Sequence, residues 1–262
     1  MDVQGNQKVR LITFVLAVVG LLGGTVEPAY TQERTISFAG TQWTVRRSQG
    51  KEGPGPNYFM DGDGVALLMP QEIEGIQQSQ RNELQLSAVK HPSRNRWFST
   101  EIISQEPVGY GSYRIRLRID EPGLDSRLIF GFFTYDQNPS QYHSEIDIEL
   151  GYFGSPGTPW VHVSIQPSSK EGNSISTLPP RQWGTFVLEF QWHPGKVDFS
   201  VHLEETQDSE SWIWKKTITG NPVPVPATPH LHTNLWFFQG QPPENDGALG
   251  IIIEDIRYTP LY

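Results

Sequence analysis

The sequence has no cysteine, which excludes thiol nucleophiles, disulfide bonds and thiolate metal sites. A chain of 262 residues does not need covalent cross-links, because it is long enough to bury a large core. Its stability therefore has to come from packing. Eight Trp, nine Tyr and thirteen Phe supply large apolar side chains for that core.

Basic residues are also scarce, with 20 Lys and Arg against 29 Asp and Glu and a formal net charge of -9. A surface that binds nucleic acid needs a basic footprint to meet the phosphates, so the composition argues against nucleic acid as a partner. An acidic protein is better suited to a neutral polymer or a cationic ligand.

Only one long apolar run is present, over residues 11–22, and it follows two basic residues near the start of the sequence. This is the layout of an export signal. The run is shorter than the roughly 20 residues of a spanning helix, although an uncleaved anchor is the alternative interpretation. We predict a signal peptide over residues 1–31 and a single domain over residues 32–262. The mature protein is then secreted, monomeric and free of the membrane.

Helical periodicity is missing as well. After the signal, apolar and polar residues alternate with period 2, and Gly, Pro, Asn and Asp separate the runs. Many short alternating strands in one domain predict an all-β sandwich of two packed antiparallel sheets. The predicted strands are 35–38, 64–69, 97–104, 111–119, 126–134, 144–151, 160–166, 183–192, 197–203, 212–218, 230–238 and 250–258.

One predicted strand, 144–151, is acidic on one face. Side chains alternate along a strand, so Glu145, Asp147 and Glu149 project to one side and the apolar residues between them to the other. Like charges at steps of about 6.6 Å raise the pKa of at least one carboxyl, and a general acid at neutral pH requires such a pKa. Two leaning Glu side chains can also flank one glycosidic bond, as retaining enzymes require.

The acidic strand has an alternative interpretation, because alternating acidic and apolar residues are ordinary in a solvated strand at a sheet edge. The aromatic runs 130–135 and 235–238 favour catalysis, since ring faces that line a cleft can stack on sugars. The same rings are equally suited to a core. The pattern alone therefore leaves both interpretations open.

The run Glu-Ile-Asp-Ile-Glu at residues 145–149 resembles the catalytic strand of glycoside hydrolase family 16, in particular the lichenase-like branch of bacterial β-glucanases. Flanking segments resemble other strands of that family in the family's order, so the likeness covers roughly residues 57–258. These segments are 99–104, 109–113, 132–135, 190–194, 234–236 and 253–258.

The resemblance implies a jelly-roll sandwich of the concanavalin A-like type with a concave substrate cleft. It also implies endo-acting, retaining hydrolysis of a β-linked glucan of the β-1,3/1,4 type or a related polysaccharide, without a cofactor. Position by position, Glu145 is then the nucleophile, Glu149 the general acid and base, and Asp147 the partner that tunes both. A non-catalytic, lectin-like sugar-binding protein and a transglycosylase on the same fold are the alternatives.

The resemblance also extends to sugar contacts, and one further residue is placed beside the cleft by the next predicted strand. These residues are Glu101, Asn234, Trp236, Asn57 and His162. Two positions depart from the family pattern. Ile103 stands where the branch usually has an Arg, and His143 stands where an aromatic residue commonly precedes the catalytic strand. Both departures leave the glucan linkage open.

Two metal interpretations arise from the sequence. His230 and His232 share a strand face and form a zinc pattern that lacks a recognisable third ligand. The resemblance implies a structural calcium instead, with Asp255 as its carboxylate ligand and the backbone carbonyl of Gly64 beside it. Calcium accepts oxygen ligands of this kind.

Overall fold

Antiparallel strands make up almost all regular structure in the computed structural model. The structure describes residues 33–48, 50–59, 64–68, 82–91, 95–206, 210–244, 247 and 249–261, and the predicted signal peptide lies outside them. The described residues belong to one unit, Glu33–Tyr262. Within these ranges, no helix has the length and apolar character needed to cross a membrane.

Seventeen strands and two short 3-10 turns follow one another through the described residues. The strands are β1 (Thr35–Phe38), β2 (Thr41–Val45), β3 (Val65–Leu68), β4 (Glu83–Ser87), β5 (Val89–His91), β6 (Arg96–Phe98), β7 (Thr100–Pro107), β8 (Gly111–Ile119), β9 (Leu128–Tyr135), β10 (Ile146–Leu150), β11 (Val161–Ile165), β12 (Ser174–Thr177), β13 (Gly184–His193), β14 (Lys196–Leu203), β15 (Trp212–Thr219), β16 (His230–Phe237) and β17 (Gly250–Pro260). The 3-10 turns are Ser140–Ser144 and Phe238–Gly240.

The strands form two large sheets, so the predicted two-sheet sandwich is confirmed. The eight-stranded sheet, called the cleft sheet below, has the order β1-β2-β7-β16-β9-β10-β11-β12. The seven-stranded outer sheet has the order β15-β14-β13-β8-β17-β4-β3, and β5 and β6 form a separate hairpin. Neighbours in the cleft sheet are often far apart in the sequence. Its site residues therefore come from several distant segments.

Each predicted strand coincides with an observed one, but four strands were not predicted: β2, β4, β5 and β12. Residues 97–104 form two strands in place of one, because Ser99 between them bridges to Phe59. The sequence of β12, Ser-Ile-Ser-Thr, has one apolar residue and so lacks an alternating pattern. Its pairing with β11 defines it as a strand.

The core lies between the two sheets and follows from the alternation of side chains. On β8 the residues with odd numbers from Gly111 to Ile119 are buried, whereas Arg114, Arg116 and Arg118 point outward and pair with acidic side chains. On β10 the apolar residues Ile146, Ile148 and Leu150 are fully buried in the core. Burial of this apolar face turns the acids of β10 to the opposite side of the cleft sheet.

The acidic strand is not a sheet edge. β10 pairs with β9 on one side and with β11 on the other, so the solvated edge-strand interpretation is wrong. Asp147 lies between Phe133 and Ser164, and Glu149 lies between Gly131 and His162. Backbone pairing on both sides fixes the register of the acids, because a slip by one residue would send them into the core.

Candidate active site

Glu145, Asp147 and Glu149 line a cleft of about 540 Å³ on the face of the cleft sheet that points away from the core. Asp147 is 5% exposed, and the two Glu residues are half-buried. Side chains from β7, β9 and β16 line the same cleft, including Glu101, Phe133, Tyr135, His232, Asn234 and Trp236. The structure thus brings the three predicted catalytic acids together with three of the five predicted sugar contacts.

The three acids have raised pKa values. Burial and then the charges of Asp147 and Glu149 raise the pKa of Glu145 to about 10. Burial also raises the pKa of Asp147 to about 6, although hydrogen bonds from Ser164 and other neighbours oppose the rise. Burial and the charge of Asp147 raise the pKa of Glu149 to about 8. The cluster therefore retains protons at neutral pH and shares them among its members.

Asp147 is held in place as an acceptor of hydrogen bonds. The Ser164 hydroxyl donates to its Oδ2 atom at 2.7 Å, and the Gln166 amide donates to the same oxygen at 3.2 Å. The carboxyl of Glu145 also bonds Asp147, which favours a proton on Glu145 and a charge on Asp147. Because β11 supplies Ser164 and the chain just after it supplies Gln166, the neighbouring strand orients the central acid.

A left-handed turn leads directly into the acidic strand. Gln141, Tyr142, His143 and Ser144 all have φ between 49° and 63°. L-residues rarely adopt such φ values, and strained backbone of this kind clusters at functional sites. His143, the departure from the family's aromatic position, stacks on Tyr135 at 4.7 Å with an interplanar angle of 8°. A flat pair of rings therefore lies beside Glu145, although His143 stands in place of the aromatic residue of the family pattern.

Glu101 is 1% exposed, and its carboxylate bonds the side chains of Arg46 and His232. Its carboxylate accepts from Nη1 of Arg46 at 2.6 Å and from Nδ1 of His232 at 2.7 Å. Burial by itself raises the pKa of Glu101, but the bonds and charges of His232 and Arg46 together bring it below its usual value. Arg46 was not predicted. It lies just beyond β2, beside β7, and supplies a guanidinium next to Ile103, where the family's Arg is missing.

Asn234 and Trp236 lie on the cleft face of β16, two residues apart. Asn234 is 1% exposed, and its Oδ1 atom has no hydrogen-bond partner among the described residues. A Cβ atom on Gly131 would lie 2.6 Å from that oxygen, so the glycine keeps the floor of the cleft open there. Trp236 is absent from the core cluster, and its indole N–H favours the ionised form of Glu149. Both residues therefore present polar groups to the cleft.

The remaining predicted sugar contacts differ in position. Asn57 does not line the cleft, because its amide bonds the backbone of Pro54 and Phe237 and the hydroxyl of Ser99. Through these bonds Asn57 connects the backbone at Pro54 to the end of β16. His162 borders the cleft beyond Glu149, in a second depression lined mainly by hydroxyl side chains. Both of its ring nitrogens are bonded within the protein, to Ser176 and Gly151.

The predicted metal residues do not fit a metal ion. Asp255 pairs with Arg257 at 2.7 Å and with Arg114 at 3.7 Å, and these guanidinium groups would repel a calcium ion at its carboxylate. Nδ1 of His230 bonds the carbonyl of Ser104, and Nδ1 of His232 bonds Glu101. Across the described part of the chain, no group of three His, Asp or Glu residues is arranged to hold a metal.

Solved structures share this architecture. A β-glucanase of Bacillus licheniformis is 20% identical with a TM-score of 0.57, and the match covers 84% of this chain and 92% of that one. A glycoside hydrolase family 16 protein of Bacteroides ovatus, solved with a product, is 14% identical with a TM-score of 0.57 over 83% of this chain and 94% of that one. A laminarinase of Flavobacterium sp. is 17% identical with a TM-score of 0.55 over 82% and 92%.

At these identities the likeness shows the fold, and the predicted jelly-roll architecture is confirmed. No model of a protein family matches the sequence, and no curated protein matches it. The residues in the cleft are therefore the evidence for the chemistry of this chain.

Proposed function

We propose that the chain belongs to glycoside hydrolase family 16 and is a secreted, monomeric enzyme that cleaves a β-linked glucan, or a related polysaccharide, internally and with retention of configuration. The observation that carries the proposal is the acidic face of β10. This strand is paired on both sides within the cleft sheet, and its three acids line a cleft of about 540 Å³. A fold gains nothing from burying three acids side by side. Catalysis explains the cost, because it requires carboxyls with raised pKa values.

Each acid has one role in a double displacement. Glu145 attacks the anomeric carbon and forms a glycosyl ester while Glu149 gives its proton to the leaving oxygen. Glu149, now ionised, takes a proton from water, and the water oxygen displaces Glu145 from the ester. Glu145 can attack only when the proton it shares with Asp147 rests on Asp147. Ser164 and Gln166 hold Asp147 in the position from which it exchanges that proton.

The choice of a neutral β-glucan as substrate rests on the structural neighbours and on the cleft. The neighbours are described as a β-glucanase, a family 16 protein associated with mixed-linkage glucan and a laminarinase. Aromatic and polar side chains together line this cleft, as in sites that bind sugars. Asn234 also lines this cleft and adds a polar side chain to it.

The test is hydrolysis of barley glucan, laminarin, xyloglucan and agarose, followed by reducing-end release and by proton NMR of the first product anomer. We expect cleavage of at least one neutral β-glucan, β-anomer before mutarotation, and no activity in Glu145→Gln. A first product of α configuration would contradict the retaining mechanism. Binding of a polymer by the wild-type protein without cleavage would support the lectin-like alternative, and dominant transfer to an added acceptor would support the transglycosylase.

Trp236 is expected to set the alkaline limit of activity through Glu149. The pKa of Glu149 is about 8, and the indole N–H lowers it, so hydrolysis should fall as the pH rises through that value and Glu149 loses its proton. In Trp236→Phe the ring remains but the N–H is lost. We expect the alkaline limb of kcat to move upward by about one pH unit.

Trp212→Phe is the matched control, because Trp212 lies on β15 at the edge of the outer sheet. Its pH profile should follow the wild type. An alkaline limb that stays in place or moves downward in Trp236→Phe would show that the indole does not act on the general acid.

A further inference from the structure

His232 is held in one orientation by three neighbours. Its Nδ1 atom bonds the buried carboxylate of Glu101 at 2.7 Å, Phe133 stacks on its ring at 5.0 Å, and Tyr135 meets the ring edge-on at 5.8 Å. Since the carboxylate can only accept, the proton of this bond belongs to Nδ1. Nε2 is therefore the ring nitrogen that this bond leaves unused.

Nε2 of His232 is left for a ligand. His232 lines the cleft, and in the described ranges no protein group bonds this nitrogen. Asn234, two residues further along the same strand face, also lines the cleft. Residues two apart on a strand are separated by about 6.6 Å, which is a suitable spacing for contacts with one sugar unit or with adjacent units.

The charges around His232 disfavour an anionic ligand. Arg46 lines the same cleft, but it pairs with Glu101 at 2.6 Å and with Glu52 at 3.0 Å. Its positive charge is therefore already compensated. The acids of β10 lie in the same cleft and add negative charge. A carboxylate or sulfate on a sugar bound here would meet repulsion, and the described residues that line the cleft offer no uncompensated Lys or Arg to balance it.

We propose that His232 is a specificity-determining residue, whose Nε2 atom forms a hydrogen bond with a hydroxyl of an uncharged sugar unit bound over β16, and that this subsite rejects sugars with acidic substituents. Glu101 is a positioning residue that fixes the imidazole, and Arg46 fixes Glu101. This inference rests on the proposed function, because it names the class of polysaccharide that the same cleft accepts.

The first test replaces His232 with Phe, which retains a ring against Phe133 and removes both nitrogens. We expect KM for the preferred neutral glucan to rise about tenfold and to change more than kcat, because a bond made in ground state and transition state alike is lost. His232→Gln can donate to Glu101 and accept a sugar hydroxyl, so we expect it to recover most of the affinity.

His230→Phe is the matched control. His230 is on the same strand but outside the cleft lining, and its ring bonds the carbonyl of Ser104. Its kinetics should remain those of the wild type. If His232→Phe kept the wild-type KM, or if His230→Phe raised KM equally, His232 would not be a specificity-determining residue.

The second test does not depend on the His232 variants or on turnover. Glu145→Gln is titrated calorimetrically with a neutral β-glucan oligosaccharide and with its carboxymethylated form. We expect the neutral ligand to bind at least tenfold more tightly. Equal or stronger binding of the charged ligand would overturn the charge argument. Failure of the proposed function appears differently, as a wild-type protein that binds the neutral ligand but cleaves none of the polymers.

Discussion

Azide should restore activity to Glu145→Ala and Glu149→Ala with opposite stereochemistry at the anomeric carbon. Without azide, each variant is expected to lose about 10³- to 10⁵-fold in kcat on glucan, because one lacks the nucleophile and the other the general acid and base. With an activated aryl β-glycoside, whose leaving group needs no protonation, Glu149→Ala should still form the glycosyl ester and then stall.

The stereochemistry of each product follows from the space in which azide binds. In Glu145→Ala azide occupies the space of the missing carboxylate and displaces the leaving group in one step, which gives an α-glycosyl azide. In Glu149→Ala the ester on Glu145 still forms, and azide attacks it from the opposite face, which gives a β-glycosyl azide. Proton NMR of the azide products separates the two outcomes.

Asp147→Asn is the control for these variants. Asp147 is buried between Ser164 and Gln166 and exchanges a proton with Glu145, so its loss should lower kcat without opening a path for azide. The same anomer from both alanine variants would reject a double displacement at these residues. Anomers in the reverse assignment would exchange the roles of Glu145 and Glu149.

Glu145→Gln should make the protein more stable at alkaline pH and leave its stability unchanged in acid. The pKa of Glu145 is raised by burial from an ordinary 4.5 to about 10 in the folded state. Between these values the folded state binds more protons than the unfolded state, so the free energy of unfolding of the wild type falls as the pH rises. Gln has no such proton to hold.

At pH 8 we expect Glu145→Gln to gain about 2–4 kcal/mol in the free energy of unfolding, after allowance for the half-exposed position of the side chain. The gain should vanish near pH 4, where Glu145 is protonated in both states. Urea unfolding at pH 4, 6 and 8 measures this trend. Glu205→Gln, at an exposed position, is the control. An equal gain at pH 4 and pH 8 would assign the effect to packing instead of ionisation.

The acids behind both predictions could be located from the sequence alone. Alternation along 144–150 predicts which side chains share a face, because one backbone period decides it. The fully buried Ile146 and Ile148 confirm that face. Burying carboxylates costs free energy, so acids at regular positions in a strand indicate a functional site. This indication can be seen in the local sequence without knowledge of the fold.

The contributions of neighbouring strands could not be read in the same way. Arg46 contacts Glu101 across 55 positions of sequence, and β2 becomes the neighbour of β7 only through the order of strands in the sheet. His232 was noticed as half of a zinc pattern, although its partner is Glu101. Asn57 matched a sugar-contact position, but its side-chain amide forms hydrogen bonds with the backbone of β16 instead. Such pairings depend on long-range topology, which local periodicity does not encode.

Gly131 gives the cleft floor a property that no side chain could provide. It lies directly between Asn234 and Glu149 in the sheet register, where only bare peptide separates the two. The position of the Asn234 amide therefore depends on the absence of a side chain at Gly131. One added methyl group would press on that amide, and none of the three atoms nearest to it belongs to a carboxyl, so the shape of the sugar subsite and the acidity of the site rest on different residues.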